Sequence, residues 1–526
     1  MIDIKLNNEV GSNMVYLEDE TLDWALKHCR YHSLNLLPIA FEYESLKTNW
    51  DEIKTYISSQ NLKTWRTRPL RKFFVPRDTV GYRIITELDP IDHLIYASLI
   101  YEIGEDIENK RSPKECNEVF SYRFQPNFNG SMYDPDYPYT KFLDYSQEMA
   151  ESEIYRYVAS TDISDFYLNI YEHRLENNLK LCTTKEGHVE ALINLLKQWN
   201  EKVSRGIPIG PMASRLLAES ILIDVDELLK IEGIEYCRWN DDFRIFADSY
   251  EKAYAYLYKL SSILFRNHNL TLQKSKTDIL PIEEFKSKYI FPKEREQILS
   301  IREEFEDSML SDSGIVLDGF GDIIEGYSEE GIDEYEISVL VDLVYKEANN
   351  WEPNFKLLRF VINRLLLLKE FDPLDTLIEN LDTLYPIIFE IMRYLLHSNL
   401  DDDQKAIISE KLLKAYNMPI IQTIDYARLW ILHYFALNPS LITSRELIKL
   451  YGQENDDLKR EITYIMGEKE KFSWVRTKKG EWQALSPWLQ RAYLKSTNCL
   501  PADEKKAYHN SIKRRLDLLS KCMISK

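Results

Sequence analysis

Residues 236–247 read "YCRWNDDFRIFA", with the adjacent aspartates Asp241 and Asp242 set between aromatic and apolar residues. The flanking residues favour β-strands. An Asn-Asp pair favours a turn, because the Asx side chain can hydrogen-bond the backbone two residues further on. The stretch therefore predicts a β-hairpin with residues 240–242 at its tip. A plain surface turn is the alternative, so a function requires a second half of the site elsewhere in the chain.

A third carboxylate that could complete such a site is Asp162, which follows the strand-like run "RYVAS" and opens "DISDFY". If these strands are neighbours, Asp162 meets Asp241 and Asp242, and the repulsion raises carboxylate pKa values unless cations bind. Two Mg²⁺ ions roughly 3.5–4 Å apart would cancel the repulsion and promote phosphoryl transfer. Oxygen ligands suit Mg²⁺ or Mn²⁺ rather than zinc. The alternative is that "DISDFY" is only a strand end and a helix N-cap.

Three further features fit a nucleotide pocket. The turn "GIPIGP", residues 206–211 with Pro208 and Gly210, lets backbone approach a ligand closely. Arg77 and Arg83, in a basic stretch at 61–83, could hold a triphosphate through charge-assisted hydrogen bonds. Tyr167, five residues after Asp162, could exclude a ribose 2′-hydroxyl. An ordinary loop and a solvated basic face are the alternatives for the turn and the arginines.

Composition sets the broad class of the protein. The 526 residues exceed the size at which single cores stop growing, about 250–300 residues, so two or more domains are expected. The net charge of −20 argues against a nucleic-acid-coated protein but leaves room for a local basic groove. No apolar run reaches the roughly 18 residues of a membrane span, and the start lacks a signal-peptide pattern. We therefore expect a soluble, cytoplasmic protein with no membrane partner.

The pattern along the chain predicts an α+β first domain over residues 1–300. An acidic, glycine-punctuated linker follows at 301–337, and residues 338–526 are almost wholly helical in pattern. Paired helices at spacings of about 40 residues favour a HEAT-like α-repeat. A plain helical bundle is the alternative.

Taken together and in this order, the motifs resemble the fingers and palm of reverse transcriptases. "PRDTVGYRIITELDPIDHLIY" is similar to the fingers segment, and "DISDFY", "GIPIGPMASRLLAE", "WNDD" and "LTLQKSKT" to four successive palm motifs. The wording of "VFSYRF", "GPMASRLLAE" and "RWNDDFRIF" resembles one branch, the bacterial abortive-infection and defence-associated reverse transcriptases. Several members of that branch carry a HEAT-like domain where others have a thumb. The resemblance covers about residues 60–280 by motif and 338–526 by architecture.

The resemblance implies a role for each matched residue. The metal-binding set would be the carboxylates of Asp162, Asp241 and Asp242 with the carbonyl of Ile163. The substrate-binding set would be Arg77, Arg83, Ile163, Tyr167 as steric gate, Pro208 and Gly210. Lys276 would give a proton to pyrophosphate.

Two residues depart from the family pattern. Trp239 replaces the usual tyrosine ahead of x-Asp-Asp. Ile209 stands where templated enzymes usually place a glutamine that helps to hold the nucleotide and the template. The second departure puts ordinary templated copying in doubt.

These considerations predict an antiphage-defence DNA polymerase that uses Mg²⁺ or Mn²⁺ and deoxynucleoside triphosphates. We expect synthesis without a template, primed from a protein tyrosine, with single-stranded DNA as the product. Four tyrosines of the segment 131–145, expected to be a loop, are candidates: Tyr133, Tyr137, Tyr139 and Tyr145. We also expect a homo-oligomer, a trimer or a hexamer. The alternatives are an RNA-templated reverse transcriptase with a non-coding RNA partner, and a non-catalytic RNA-binding scaffold.

Overall fold

The computed structural model describes residues 14–32, 36–201, 203–290, 316–317, 323–324 and 334–524. These residues fall into two compact units. The first unit contains 14–32, 54–70 and 87–290, together with the short strands at 316–317 and 323–324. The second contains 36–53, 71–86 and 334–524, so two segments that the sequence analysis assigns to the first domain lie with the helical half. The predicted boundary at 300 lies outside the described residues.

Within the described ranges, eight strands form three sheets, and the four-stranded sheet is antiparallel throughout. They are β1 (Arg71–Pro76), β2 (Tyr82–Glu87), β3 (Tyr157–Asp162), β4 (Tyr236–Trp239), β5 (Asp242–Ala247), β6 (Asp278–Pro281), β7 (Val316–Leu317) and β8 (Ile323–Ile324). The central sheet has the order β4-β5-β3-β6. Its two middle strands, β3 and β5, come from the segments that carry the aspartates.

The described residues up to 290 contain twelve α-helices, of which α2 lies in the second unit. They are α1 (Asp19–Tyr31), α2 (Glu42–Thr48), α3 (Trp50–Ser58), α4 (Pro90–Glu108), α5 (Tyr139–Glu151), α6 (Phe166–Asn169), α7 (Glu172–Cys182), α8 (Glu186–Asn200), α9 (Ala213–Ile221), α10 (Ile223–Ile231), α11 (Tyr250–His268) and α12 (Ile282–Phe285). The predicted loop at 131–145 is wrong in its second half, because α5 begins at Tyr139. Aromatic rings of α5 pack on the sheet, which favours the helix over a solvated loop.

The hairpin predicted from "YCRWNDDFRIFA" is present as β4 and β5. Its turn is shorter than expected, since Asp242 is already the first residue of β5. Asn240 adopts a left-handed conformation with φ of 55°, which an Asn side chain tolerates better than most. The turn therefore consists of Asn240 and Asp241 alone.

The second unit is mainly an array of helices that continues the numbering. They are α13 (Glu334–Ala348), α14 (Phe355–Leu367), α15 (Leu374–Glu379), α16 (Leu381–Leu384), α17 (Ile388–His397), α18 (Asp402–Tyr416), α19 (Pro419–Thr423), α20 (Asp425–Leu437), α21 (Ser444–Tyr451), α22 (Asp456–Glu468), α23 (Phe472–Thr477), α24 (Pro487–Ser496), α25 (Ala502–Ile512) and α26 (Leu518–Ile524). One row of them packs each on the next, in the order α13, α14, α17, α20, α22, α24 and α26. The helical half is as predicted, while a HEAT-type repeat remains a prediction.

Two early segments are built into this helical unit. Glu42 of α2 is fully buried, and its carboxylate accepts hydrogen bonds from Arg460 and from Nε of Arg491 at 3.1 Å. Burial alone would raise the pKa of Glu42, but the two guanidinium charges outweigh it and lower the pKa. The β1–β2 loop is held by Tyr385, whose hydroxyl donates to the carbonyl of Thr79 at 2.8 Å. None of the helices in the described ranges is both long and apolar enough to cross a membrane.

Candidate active site

The central sheet brings the three predicted carboxylates together. β3 and β5 pair so that Asp162 lies directly opposite Asp242. The turn joins them, because the amide of Ile163 donates to the carbonyl of Asp241 at 3.2 Å. Residues separated by about 80 positions in the sequence thus share one end of two neighbouring strands.

The pKa values of two of these carboxylates are raised, because they are buried and lie near a third acid. Burial raises the pKa of Asp241 well above its usual range, and the charge of Asp162 and a hydrogen bond to it raise it further. Burial raises the pKa of Asp242 to about 6, although Arg244, two residues along the same strand, opposes the shift. A bound cation would relieve both effects, since it favours the ionised form of each carboxylate.

Lys276 already supplies one positive charge at this position. Its ammonium donates to Oδ2 of Asp162. The turn that carries it is tied to β3, because the amide of Gln273 donates to the carbonyl of Asp162 at 2.7 Å. The structure therefore brings Lys276 to Asp162, while its role as proton donor stays a prediction.

These residues fit a divalent cation in the kind of ligand that they offer. Three carboxylates and a backbone carbonyl are oxygen donors, which Mg²⁺ and Mn²⁺ prefer. As the side chains stand, no group of three or more His, Cys, Asp and Glu residues in the described part of the chain is arranged to hold a metal. The ammonium of Lys276 contacts Asp162, one of the three carboxylates.

The residue predicted to wall the sugar pocket lies close to the aspartates. Tyr167 is buried, and the side-chain amide of Asn240 lies 3.5 Å from its hydroxyl and donates to Asp241 at 2.9 Å. Oδ1 of Asn240 is buried and has no hydrogen-bond partner among the described residues. One amide side chain thus connects the predicted gate to a predicted metal ligand.

The turn at 206–211 belongs to the same wall. The amide of Ile207 donates to the carbonyl of Tyr167 at 3.0 Å, and Gly206 has a φ of 99° that favours glycine. Pro208 is buried, whereas Ile209 and Gly210 are half-buried, and Gly210 has a φ of 135°. The predicted turn and the predicted gate are therefore neighbours.

The two predicted triphosphate ligands lie in the other unit. Arg77 is exposed in the β1–β2 loop, and Nη2 of Arg359 donates to its carbonyl at 3.2 Å. Arg83 is half-buried on β2. Their binding of a triphosphate stays a prediction.

Beneath the hairpin lies a network of buried charges that the sequence analysis missed. Arg238 of β4 is fully buried and donates twice to Asp226, at 2.8 and 2.6 Å. Its Nη1 donates to Glu219 at 2.8 Å and to the carbonyl of Asn240 at 3.1 Å. Arg111 donates to the same Oε2 of Glu219 at 2.9 Å. Although burial raises the pKa of Glu219, the charges of Arg238 and Arg111 lower it below its usual range.

Ser121 connects this network to the turn formed by Asn240 and Asp241. Its hydroxyl donates to Oε1 of Glu219 and accepts from the amide of Asn240 at 2.8 Å. Both Asn240 backbone groups are therefore held, the amide by Ser121 and the carbonyl by Arg238. A signal was present in the sequence, since Glu219 and Arg238 are charges inside runs that otherwise read as buried.

The antiparallel central sheet thus presents clustered aspartates at a strand end, with Lys276 and Tyr167 close to them. Residues 82–296 match the reverse transcriptase (RNA-dependent DNA polymerase) family. The chain therefore contains a reverse transcriptase domain and is a nucleotidyltransferase of the RNA-directed DNA polymerase class.

Among solved structures, the chain is similar to telomerase from Candida albicans in complex with a TWJ fragment of telomeric RNA. The identity is 10%, 73% of this chain and 70% of that chain are covered, and the TM-score is 0.31. No curated protein matches the chain.

Proposed function

We propose that this protein is a DNA polymerase of antiphage defence that adds deoxynucleotides by two-metal phosphoryl transfer. The observation that carries the chemistry is the pairing of Asp162 with Asp242, with Asp241 held beside them. Mg²⁺ bound there would activate the attacking hydroxyl and stabilise the leaving pyrophosphate. The defence role rests on the resemblance of the motifs. Expression of the protein with and without phage infection tests it.

Each side chain has a task in this reaction. The three carboxylates would hold the cations, and Asn240 holds the carboxylate of Asp241 in place. Lys276 would give a proton to the leaving pyrophosphate. Tyr167 closes the sugar pocket, so deoxynucleotides are preferred.

We propose further that synthesis needs no template. Ile209 cannot make the hydrogen bonds that a glutamine offers to the nucleotide and the template strand. The net charge of −20 also disfavours a long duplex unless a local groove outweighs the repulsion.

Priming from a tyrosine hydroxyl is the last part of the proposal. The phenol oxygen attacks the α-phosphorus of a deoxynucleoside triphosphate, an O–P bond forms, and the bond to the β-phosphate breaks. Pyrophosphate leaves, and the phenol proton passes to a base. A phenol whose pKa is raised by burial is a poor nucleophile. Burial raises the pKa of Tyr133 beyond its usual range and that of Tyr145 to about 12.

Two of the four candidate tyrosines are better placed. The ring of Tyr137 lies 5.0 Å from the ammonium of Lys114 and 3.7 Å from that of Lys141. Such charges would attract a triphosphate. Tyr139 packs edge-on against Trp239 at 5.2 Å, and this ring is tied to the sheet. We therefore favour Tyr137 as the primer.

The test uses full-length protein freed of nucleic acid and supplied only with deoxynucleotides and Mg²⁺. We expect the mass of the intact protein to increase by added nucleotides, and Tyr137→Phe to lose the adduct while Tyr139→Phe keeps it. Asp241→Ala should be inert in every arm. Protein that is inert alone but copies a supplied primer-template, or a supplied RNA, would show a conventional reverse transcriptase instead.

A further inference from the structure

The charge of this chain is distributed very unevenly. Residues 469–526 contain 14 Lys and Arg against 5 Asp and Glu, a net charge of +9 in a chain whose total is −20. The rest of the chain is therefore strongly acidic. A positive region in such a chain is where a polyanion would be attracted, because binding follows the local field rather than the total charge.

Within the second unit, several of these cations lie over aromatic rings. The guanidinium of Arg476 lies 5.1 Å from the ring of Phe472, which is 42% exposed. The ammonium groups of Lys459 and Lys478 both face the ring of Tyr451, at 5.5 and 5.1 Å. Cations over ring faces are a favourable arrangement, and here they hold positive charge beside flat apolar surfaces.

Lys479 lies 5.0 Å from the ring of Tyr508 of α25. Arg476 and Lys479 share the carboxylate of Glu504, so the Phe472 pair and the Tyr508 pair form one surface. Trp474, which packs edge-on against Tyr451 at 5.2 Å, faces away from Phe472, because residues two apart in a helix do not share a face. We call the set of Phe472, Arg476, Lys479 and Tyr508 the basic–aromatic surface.

Few acidic groups neutralise this surface. Arg476 and Lys479 share one carboxylate, that of Glu504, with N–O distances of 2.6 Å each. Two cations on one carboxylate leave an excess positive charge, which a phosphate group could neutralise.

We propose that the basic–aromatic surface binds single-stranded nucleic acid. Surfaces that bind single strands combine cations for the phosphates with aromatic rings on which bases stack. An acidic protein segment would use the cations but would gain nothing specific from the ring of Phe472. The inference adds a binding site to the proposed function, and it rests on that function only for the origin of the strand, the DNA product or an RNA partner.

The test is fluorescence anisotropy of full-length protein with labelled single strands, dT20 and rU20, without nucleotides and with EDTA. The variant Arg476→Glu/Lys479→Glu is compared with Lys180→Glu/Lys252→Glu. Both pairs of lysine or arginine residues lie in surface ion pairs, and both variants change the net charge equally. We expect the first variant to bind at least about tenfold more weakly, with the salt slope reduced by about 1.4 for two lost phosphate contacts. The control should stay within about twofold.

Phe472→Ala provides a second test, which does not depend on whether the charge-reversed variant folds. The ring is exposed, so its removal should leave the melting temperature unchanged, while binding weakens by about fivefold or more through lost base stacking. Poly-glutamate at equal charge should compete poorly with unlabelled dT20.

Three results would overturn the proposal. They are equal binding by both charge variants, unchanged binding by Phe472→Ala, and equal competition by poly-glutamate, which would indicate a site for acidic protein. Because no nucleotide is present, these results are independent of whether the polymerase proposal fails. Whichever of the two strands binds more tightly identifies its source.

Discussion

Replacing Ser121 by alanine tests whether the buried charge network positions the catalytic turn. The hydroxyl makes two hydrogen bonds, one accepted from the amide of Asn240 at 2.8 Å and one donated to the carboxylate of Glu219. A bond to a charged group contributes about 1.5–3 kcal/mol, and a buried amide left unpaired costs about 1–3 kcal/mol. Since a relaxed turn recovers part of this, we expect Ser121→Ala to lower the free energy of unfolding by about 2–4 kcal/mol.

The effect on catalysis should be separable from that on stability. Without Ser121 the turn loses one of its two backbone anchors, and a shift of about 1 Å at Asp241 costs about 100-fold in rate. We expect kcat for nucleotide incorporation to fall by about 10- to 100-fold with little change in KM, measured well below the melting temperature. The free energy of unfolding is measured by urea denaturation.

The matched control is Ser98→Ala in α4 of the same unit. Ser98 is also fully buried, and its hydroxyl has no hydrogen-bond partner among the described residues. This change should leave both stability and kcat near those of the parent protein. If Ser121→Ala lost stability but kept kcat, the network would support the fold without positioning Asp241, and the reasoning would be refuted.

Four further outcomes are expected. Asp241→Ala should melt no lower than the parent without metal, because a repelled acid is removed, and a large drop in melting temperature would contradict the pKa argument. Tyr167→Ala should reduce discrimination against ribonucleotides by roughly 10- to 200-fold in kcat/KM, and unchanged discrimination would show that the ring is not a gate. Burial lowers the pKa of His28 to about 4. Between pH 6.5 and 4, this imidazole is therefore protonated in the unfolded chain but neutral in the folded chain. His28 should therefore contribute about 2 kcal/mol to the loss of stability from pH 7 to 5, and His28→Asn, which can still donate to Gly130, should lose less stability over that range by this amount. Light scattering should give a multiple of 62.4 kDa, and a monomer mass at micromolar concentration would contradict the oligomer.

Local patterns were sufficient to predict the strands that carry the aspartates. The hairpin around Asp241 and the strand before Asp162 each carry strand-forming residues or a turn residue that acts over a few positions. The meeting of Asp162 with Asp242 followed from placing both at strand ends, and the register confirms it. These predictions needed no knowledge of distant contacts.

Local patterns did not predict contacts between residues that lie far apart in the sequence. Ser121 and Glu219 lie 98 residues apart, and no local pattern predicts which buried acid finds which buried hydroxyl. The segment from Tyr139 onward was rich in turn residues upstream and looked like a loop, but packing of its rings on the sheet stabilises a helix. The membership of 71–86 in the helical unit likewise depends on partners hundreds of residues away.

The ion pairs of Glu42 have a consequence for synthesis on the ribosome. Its partners Arg460 and Arg491 follow it by 418 and 449 residues. At about 5–20 residues per second, the carboxylate emerges roughly 20–90 seconds before either guanidinium exists. Throughout that interval the segment 36–53 cannot occupy its native place, so the second unit completes only when nearly the whole chain has been made. A premature stop anywhere before residue 460 would therefore leave the segment 36–53 without the helices against which it packs.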